Sequence, residues 1–226
     1  MFSKFILGTV QLGMPYGIGQ WKNTTIPEKE AFSILDKSWE IGFNTLDTSP
    51  IYGKSNSRIR KFMKLNPRKE YHIILKIKNV CSERFTTETL KNYIYEQNFL
   101  DLESCKSITI LLHQEKDIYN NLIVDQLNQL SNRGFIKQWG ISIYSSKIAN
   151  KTIEFPECKV IQLPFSILNQ SMLQDGTISK LKKFKKIILA RSIFTKGLLF
   201  EQNKNNENLV KEVTEIVDYL AKYSSS

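Results

Sequence analysis

Short apolar runs and longer helical stripes take turns along this chain. "KFILGTV" (4–10) has the compact apolar character of a strand. "PEKEAFSILDKSWEIG" (27–42) then predicts a helix, with proline at its start, glycine at its end and Ala31, Ile34, Leu35 and Ser38 on one face. "FNTLDT" (43–48) is a second strand, "SNSRIRKFMKL" (55–65) a short basic helix, and the isoleucine-rich "YHIILKIK" (71–78) a third strand. The same alternation predicts a helix over 86–102, a strand in "SITILLH" (107–113), a helix over 119–134 ending on Gly134, and a strand in "IKQWGIS" (136–142). A short helix over 146–154, the strand "KVIQLP" (159–164), a helix over 176–186, the strand "KIILARS" (186–192) and an amphipathic helix over 207–223 complete the pattern.

Strands alternating with helices imply β-α units and a parallel sheet. No linker or low-complexity stretch divides the chain, so residues 1–226 read as one domain. Seven strands fit either a closed barrel missing one unit or an open doubly wound sheet. The stretch "GMPYGIG" lacks the G-x-G-x-x-G spacing, which removes the main signal for a dinucleotide-binding doubly wound fold. Polar residues fall at successive strand ends: Asp47, Lys76, His113, Ser142, Gln162 and Arg191. In an α/β barrel the C-terminal face of the strands carries the active site. The expected fold is therefore a TIM-type (β/α)8 barrel, incomplete with seven recognisable strands.

Composition narrows the setting. Of 226 residues, 41% are hydrophobic and 24% charged, a balance that suits a water-facing globular domain. No apolar run approaches the roughly 18 residues that span a bilayer. The apolar block in "MFSKFILGTVQLG" is too short for a signal peptide, so a cytoplasmic location is expected. Cys81, Cys105 and Cys158 are scattered in no metal-like spacing and read as free, small buried hydrophobes in a reducing compartment; no metal site is expected. The formal charge of +10 concentrates at 58–69 and 180–186. Solvated helix faces are the plain reading, and attraction of a phosphorylated ligand the sharper one. No zinc-finger, RRM or KH signature accompanies the charge, so nucleic acid is not an expected partner.

Asp47, Tyr52, Lys76 and His113 form a constellation with a chemical logic. A phenol titrates near 10 and is a poor acid at neutral pH, and a neighbouring ammonium lowers that value. A carboxylate beside the lysine holds it charged and in place, because a buried ammonium is costly without a partner. A histidine on the next strand end can orient a substrate oxygen. Such a set can deliver a proton to a carbonyl oxygen. No side chain supplies hydride, so a nicotinamide cofactor is implied.

The segments "LGTVQLG", "IGFNTLDTSPIYGKSN", "LKIK", "ILLHQ", "GFIKQWGISIYS" and "VIQLPFSILNQ" occur in an order and spacing that resemble the aldo-keto reductases, as far as about residue 200. The opening "LGTVQLG" and the later "ARSIFTKGLL" look closest to bacterial members found with surface-polysaccharide and sugar-nucleotide genes. The resemblance implies NAD(P)H-dependent reduction of an aldehyde, ketone or keto sugar, with NADP(H) as the expected cofactor and NAD(H) as the alternative. Tyr52 would be the general acid, Lys76 its pKa-lowering partner, Asp47 the counter-charge and His113 the substrate orienter. Ser142 and Gln162 match positions that hydrogen-bond the nicotinamide carboxamide, and Ile143 stands where an asparagine is usual. Arg191 falls where many members stack an aromatic ring on the nicotinamide; a guanidinium plane can stack there too. Trp21, on the loop after the first strand, is a candidate wall of the substrate pocket.

Aldo-keto reductases usually continue into an eighth strand and helix that hold the cofactor's adenosine phosphate and pyrophosphate. A full barrel takes roughly 250 residues, so the resemblance implies that this chain is short by one unit. Strands one and seven would then expose edges, which a homo-oligomer could cover. The partners expected are a small carbonyl substrate, with a nucleotide sugar among the candidates, and no membrane. The competing reading is a redox-inactive, barrel-like binding or regulatory protein that has lost full cofactor binding.

Overall fold

A computed structural model describes residues 2–18, 21–77, 86–97, 99 and 101–200. Its seven strands lie in one parallel sheet in sequence order: β1 (Leu7–Gly8), β2 (Thr45–Thr48), β3 (Tyr71–Ile77), β4 (Cys105–Leu112), β5 (Gln138–Ser142), β6 (Cys158–Pro164) and β7 (Ile187–Arg191). The connections carry α1 (Val10–Gly13), α2 (Glu28–Glu40), α3 (Ser55–Leu65), α4 (Thr87–Glu96), α5 (Asn121–Asn132), α6 (Ser146–Thr152), α7 (Ser171–Gln174) and α8 (Thr177–Lys183). Strands joined in order by helical crossovers curl the sheet toward a barrel. This is the incomplete TIM-type arrangement that the alternation predicts, and β7 and β1 are not paired among the described residues.

The elements follow from the pattern with three differences. The first strand is only Leu7–Gly8, because the Thr9 amide and hydroxyl both donate to the Asp47 carbonyl and the chain turns into α1 at Val10. The helix expected over 86–102 stops at Glu96. The four-residue α7 carries too little periodicity to be read from sequence. The helix expected over 207–223, and Cys81, lie outside the described residues.

Side chains alternate across each strand. Ile73, Leu75, Ile77, Ile108, Ile110, Leu112, Trp139 and Ile141 pack outward with the helices in one large buried cluster. Ile74, Leu111, Val160 and Leu189 meet inside the curl, with Phe2 and Ile6 packed against them. Burying each such side chain is worth about 1.5–3 kcal/mol. Gly140 on β5 allows β6 to approach closely: a Cβ there would lie 1.7 Å from the Val160 carbonyl oxygen.

After β7 the chain runs back over the gap toward β1. The Ile18 amide donates to the Lys196 carbonyl at 3.3 Å, and Gly17 (φ 81°) has no room for a Cβ, which would lie 2.8 Å from the same oxygen. The loops after the first and seventh strands thus meet at the mouth.

Much of the basic surface is tied down. Arg60 pairs with Asp101, Lys61 with Glu28 and Lys69 with Asp36. Arg58 donates to the Leu12 and Ile26 carbonyls, and Lys186 to those of Phe155 and Cys158. Cys158 is buried and Cys105 half-buried, both free, and burial pushes both thiols up to about 12.

Candidate active site

The inward positions that hold Ile74, Leu111, Val160 and Leu189 become polar two residues further along each strand: Lys76, His113, Gln162 and Arg191. Asp47 on β2 and Ser142 on β5 join the same layer by the same alternation. The strand ends therefore place six of the eight sequence-predicted residues at one mouth. Tyr52 lies on the turn between β2 and α3, and Trp21 on the loop after α1.

Lys76 is the centre of this layer. Its Nζ lies 2.6 Å from Asp47 Oδ1 and donates to Oδ2 at 2.7 Å. It also donates to Gln162 Oε1 at 3.3 Å, while Gln162 Nε2 donates to Asp47 Oδ2 at 2.9 Å. The side chains of Lys76 and Asp47 are only 5% and 12% exposed, so each charge depends on the other. Burial works against the ammonium, yet Asp47 and then Tyr52 more than offset it, and the Lys76 pKa sits above its ordinary value. The lysine stays charged at neutral pH.

Tyr52 stands beside this pair. Lys76 Nζ is 5.4 Å from the Tyr52 ring centroid, and the ring of His113 meets it edge-on at 6.4 Å. Burial raises the phenol pKa most, Lys76 lowers it, and Asp47 raises it again; the net shift is upward. From the sequence, the ammonium's pull on the phenol is expected to come first. In the folded site desolvation outweighs it, and the carboxylate that anchors Lys76 opposes the phenolate as well. Tyr52 is thereby kept protonated at neutral pH.

The turn that presents Tyr52 is built from hydroxyls and two glycines. Ser49 Oγ donates to the Lys76 carbonyl at 2.9 Å, tying the turn to β3. Ser55 Oγ donates to the Thr9 carbonyl at 3.0 Å and lies 3.3 Å from Thr48 Oγ1. Gly13 packs against the turn itself: a Cβ there would lie 1.9 Å from the Tyr52 carbonyl oxygen and 2.2 Å from the Ser55 amide. Gly53, at φ 56°, faces the Gly13 carbonyl in return. No spacing in the sequence points to Gly13 as the seat of the Tyr52 turn, although it closes α1.

The remaining predicted residues divide between the mouth and its surroundings. Ser142 and Gln162 pair across β5 and β6, both buried, and the Ile143 amide donates to the Gln162 carbonyl at 2.8 Å. The Gln162 side chain spends one N–H and one oxygen contact on the Asp47–Lys76 pair and keeps a second N–H. That donor, beside Ser142, suits the carboxamide of a nicotinamide. Arg191 ends β7 with its guanidinium 4.1 Å from the centroid of the Tyr144 ring. Trp21 is half-buried and packs against the outer core cluster. Among the described residues no cluster of three or more His, Cys, Asp or Glu could hold a metal, and no helix is long and apolar enough to cross a membrane.

A curled parallel sheet with a lysine–carboxylate pair and a tyrosine at its C-terminal mouth defines an α/β-barrel protein of the TIM type. The sequence pattern of the Aldo/keto reductase family matches residues 4–222, and the chain belongs to that family. It is 27% identical over 205 residues to the Bacillus subtilis protein named uncharacterized oxidoreductase YqkF, a match spanning 87% of this chain and 66% of that one. The chain thus spans just under two thirds of that relative's length. Among solved structures, the holo form of an aldo-keto reductase from Bacillus halodurans superposes with a TM-score of 0.73 at 18% identity, over 98% of this chain and 72% of that one. An aldo/keto reductase from Klebsiella pneumoniae, solved in complex with NADP and acetate, gives 0.65 at 12% identity, over 96% and 72%.

Proposed function

We propose that this protein reduces a carbonyl compound, an aldehyde, ketone or keto sugar, with NADP(H) as its cofactor and NAD(H) as the alternative. The observation that carries the reading is the buried Lys76, clamped by Asp47 and set against Tyr52. Structural neighbours with bound NADP or NADPH support the cofactor assignment. Ser142 and Gln162 would hold the nicotinamide carboxamide, with Arg191 on the same wall. When bound, the reduced nicotinamide supplies the hydride.

The chain's own groups supply the proton. Tyr52 donates its phenolic proton to the carbonyl oxygen as that oxygen gains charge. The phenolate left behind is stabilised by the Lys76 ammonium, which Asp47 and Gln162 fix in place. His113, edge-on to Tyr52, orients the substrate oxygen toward the hydroxyl. Water returns the proton to Tyr52. Trp21 is proposed to border the substrate entrance. A cytoplasmic enzyme of surface-polysaccharide metabolism, acting on a nucleotide sugar and self-associating through the β1 and β7 edges, fits the sequence resemblance.

The experiment is NADPH consumption by the purified protein with aldehydes and keto sugars. Consumption that requires a carbonyl substrate supports the proposal. Absence of both NADPH and NADH binding at millimolar cofactor overturns it.

A further inference from the structure

Arg191 carries a positive charge for which no carboxylate among the described residues provides a counter-charge. It ends β7 opposite Pro164 and two positions beyond the Gln162–Leu189 pair. Strand spacing and rise place its Cα about 8 Å from that of Gln162, within side-chain reach of the reacting layer. Its Nη2 donates to the Ile143 carbonyl at 3.5 Å and its Nη1 to Ser192 Oγ at 3.4 Å, both long and both to neutral acceptors. Its Nε is buried without a hydrogen-bond partner, and no carboxylate among the described residues pairs with it.

The guanidinium is nevertheless held. Tyr144 covers one of its faces at 4.1 Å while remaining 63% exposed, so the ring sits at the rim of the mouth. Glu115, on the loop after β4, fixes Tyr144 by accepting from its amide and from the Ser145 amide and hydroxyl. That carboxylate oxygen is thereby committed to the loop. Ser192 turns the chain out of the sheet immediately after Arg191, at φ 60°. Lys76 and Asp47 cancel each other, so Arg191 adds a further positive charge to the mouth.

We infer that Arg191 recognises a carboxylate or phosphate carried by the carbonyl substrate, with Tyr144 as the positioning residue that keeps the guanidinium in plane. A guanidinium stacked on one face, with one N–H of each Nη still uncommitted, has the donors for two parallel hydrogen bonds to such an anion. The formal charge of +10 draws anionic ligands toward the molecule. This inference rests on the reductase reading and narrows its substrate class to anionic carbonyl compounds.

The test uses two aldehydes of matched size, 4-carboxybenzaldehyde and its methyl ester, with NADPH saturating. The wild-type protein should prefer the acid. Arg191→Gln should lower the acid-to-ester ratio of kcat/KM roughly ten- to hundredfold, chiefly through KM for the acid, as loss of a charged hydrogen-bonded pair does. Arg191→Lys should recover part of the preference. Tyr144→Ala should reduce the ratio less than Arg191→Gln, and Tyr144→Phe should retain it. Equal loss on both aldehydes, or an unchanged ratio, overturns the inference while leaving the reductase reading intact. If neither aldehyde is reduced, calorimetric binding of the same two compounds to wild-type protein and Arg191→Gln decides the matter separately. An Arg191-dependent preference for the acid supports the inference, and no preference overturns it.

Discussion

Two layers of the barrel interior lie one pleat apart on the same strands and behave as opposites. The lower layer is Ile74, Leu111, Val160 and Leu189, an apolar cluster that Phe2 and Ile6 pack against. The upper layer is Lys76, His113, Gln162 and Arg191, with Asp47 and Ser142 from the neighbouring strands. Two residues of rise, about 6.6 Å, separate a layer that stabilises by excluding water from one that holds charge in place. The strands supply identical geometry to both, so the difference comes entirely from side-chain chemistry. The lower layer holds the strands in register; the upper layer uses that register to bring Asp47 and Gln162, 115 residues apart in sequence, onto the same ammonium.

The comparison can be broken most severely at Lys76. Lys76→Met leaves Asp47 buried without its counter-charge and should cost about 3–5 kcal/mol in urea unfolding. Adding Asp47→Leu should restore much of that loss without restoring activity. A single Lys76→Met variant as stable as the parent would show that the pair is not energetically buried. In the lower layer, Leu111→Ala removes only packing and should cost about 2–5 kcal/mol. Carbonyl turnover by its folded fraction should persist, and loss of turnover in a folded Leu111→Ala variant would erase the division between layers.

A smaller effect is expected at the support of the tyrosine turn. Gly13→Ala forces the turn away from α1 and should cost about 1–3 kcal/mol, with a fall in kcat larger than any change in cofactor affinity. Unaltered kcat would mean that Gly13 does not position Tyr52.

How much of this was legible in sequence depends on the range of the physics involved. Strand and helix identities came from local periodicity, and most strand ends matched to within a residue or two. Lys76 was conspicuous because an ammonium inside "YHIILKIK" needs a partner, and Asp47 at the end of the preceding strand was an available one. Gln162 was expected to face a cofactor, yet its amide is also shared between Lys76 and Asp47. That bridge crosses from β6 to β2 and β3, and no spacing rule reports it. The Gly13 contact and the Tyr144–Arg191 stack likewise join elements far apart in sequence. The direction of the Tyr52 shift depended on a balance between burial and two opposite charges, and only coordinates weigh that balance.

Alkaline pH should destabilise the fold. Lys76 binds its proton more tightly folded than unfolded, so its contribution is complete below its unfolded value near 10.4 and is lost as pH rises through the higher folded value. Cys158 acts earlier, because its thiol rises from 9.0 to about 12 on burial. The urea midpoint should therefore decline between pH 9 and 12, less steeply in Cys158→Ala. An equal slope in both proteins would remove Cys158 from the linkage.

In the proposed reaction Tyr52 gives the proton while the rest of the upper layer holds ligand and charge. The direct measurement compares wild-type protein and Tyr52→Phe for NADPH affinity by fluorescence and for carbonyl-dependent NADPH consumption. Tyr52→Phe should keep similar affinity, with turnover lower by roughly 10²–10⁴-fold. Turnover near the wild-type rate in a folded, NADPH-binding Tyr52→Phe protein would contradict it.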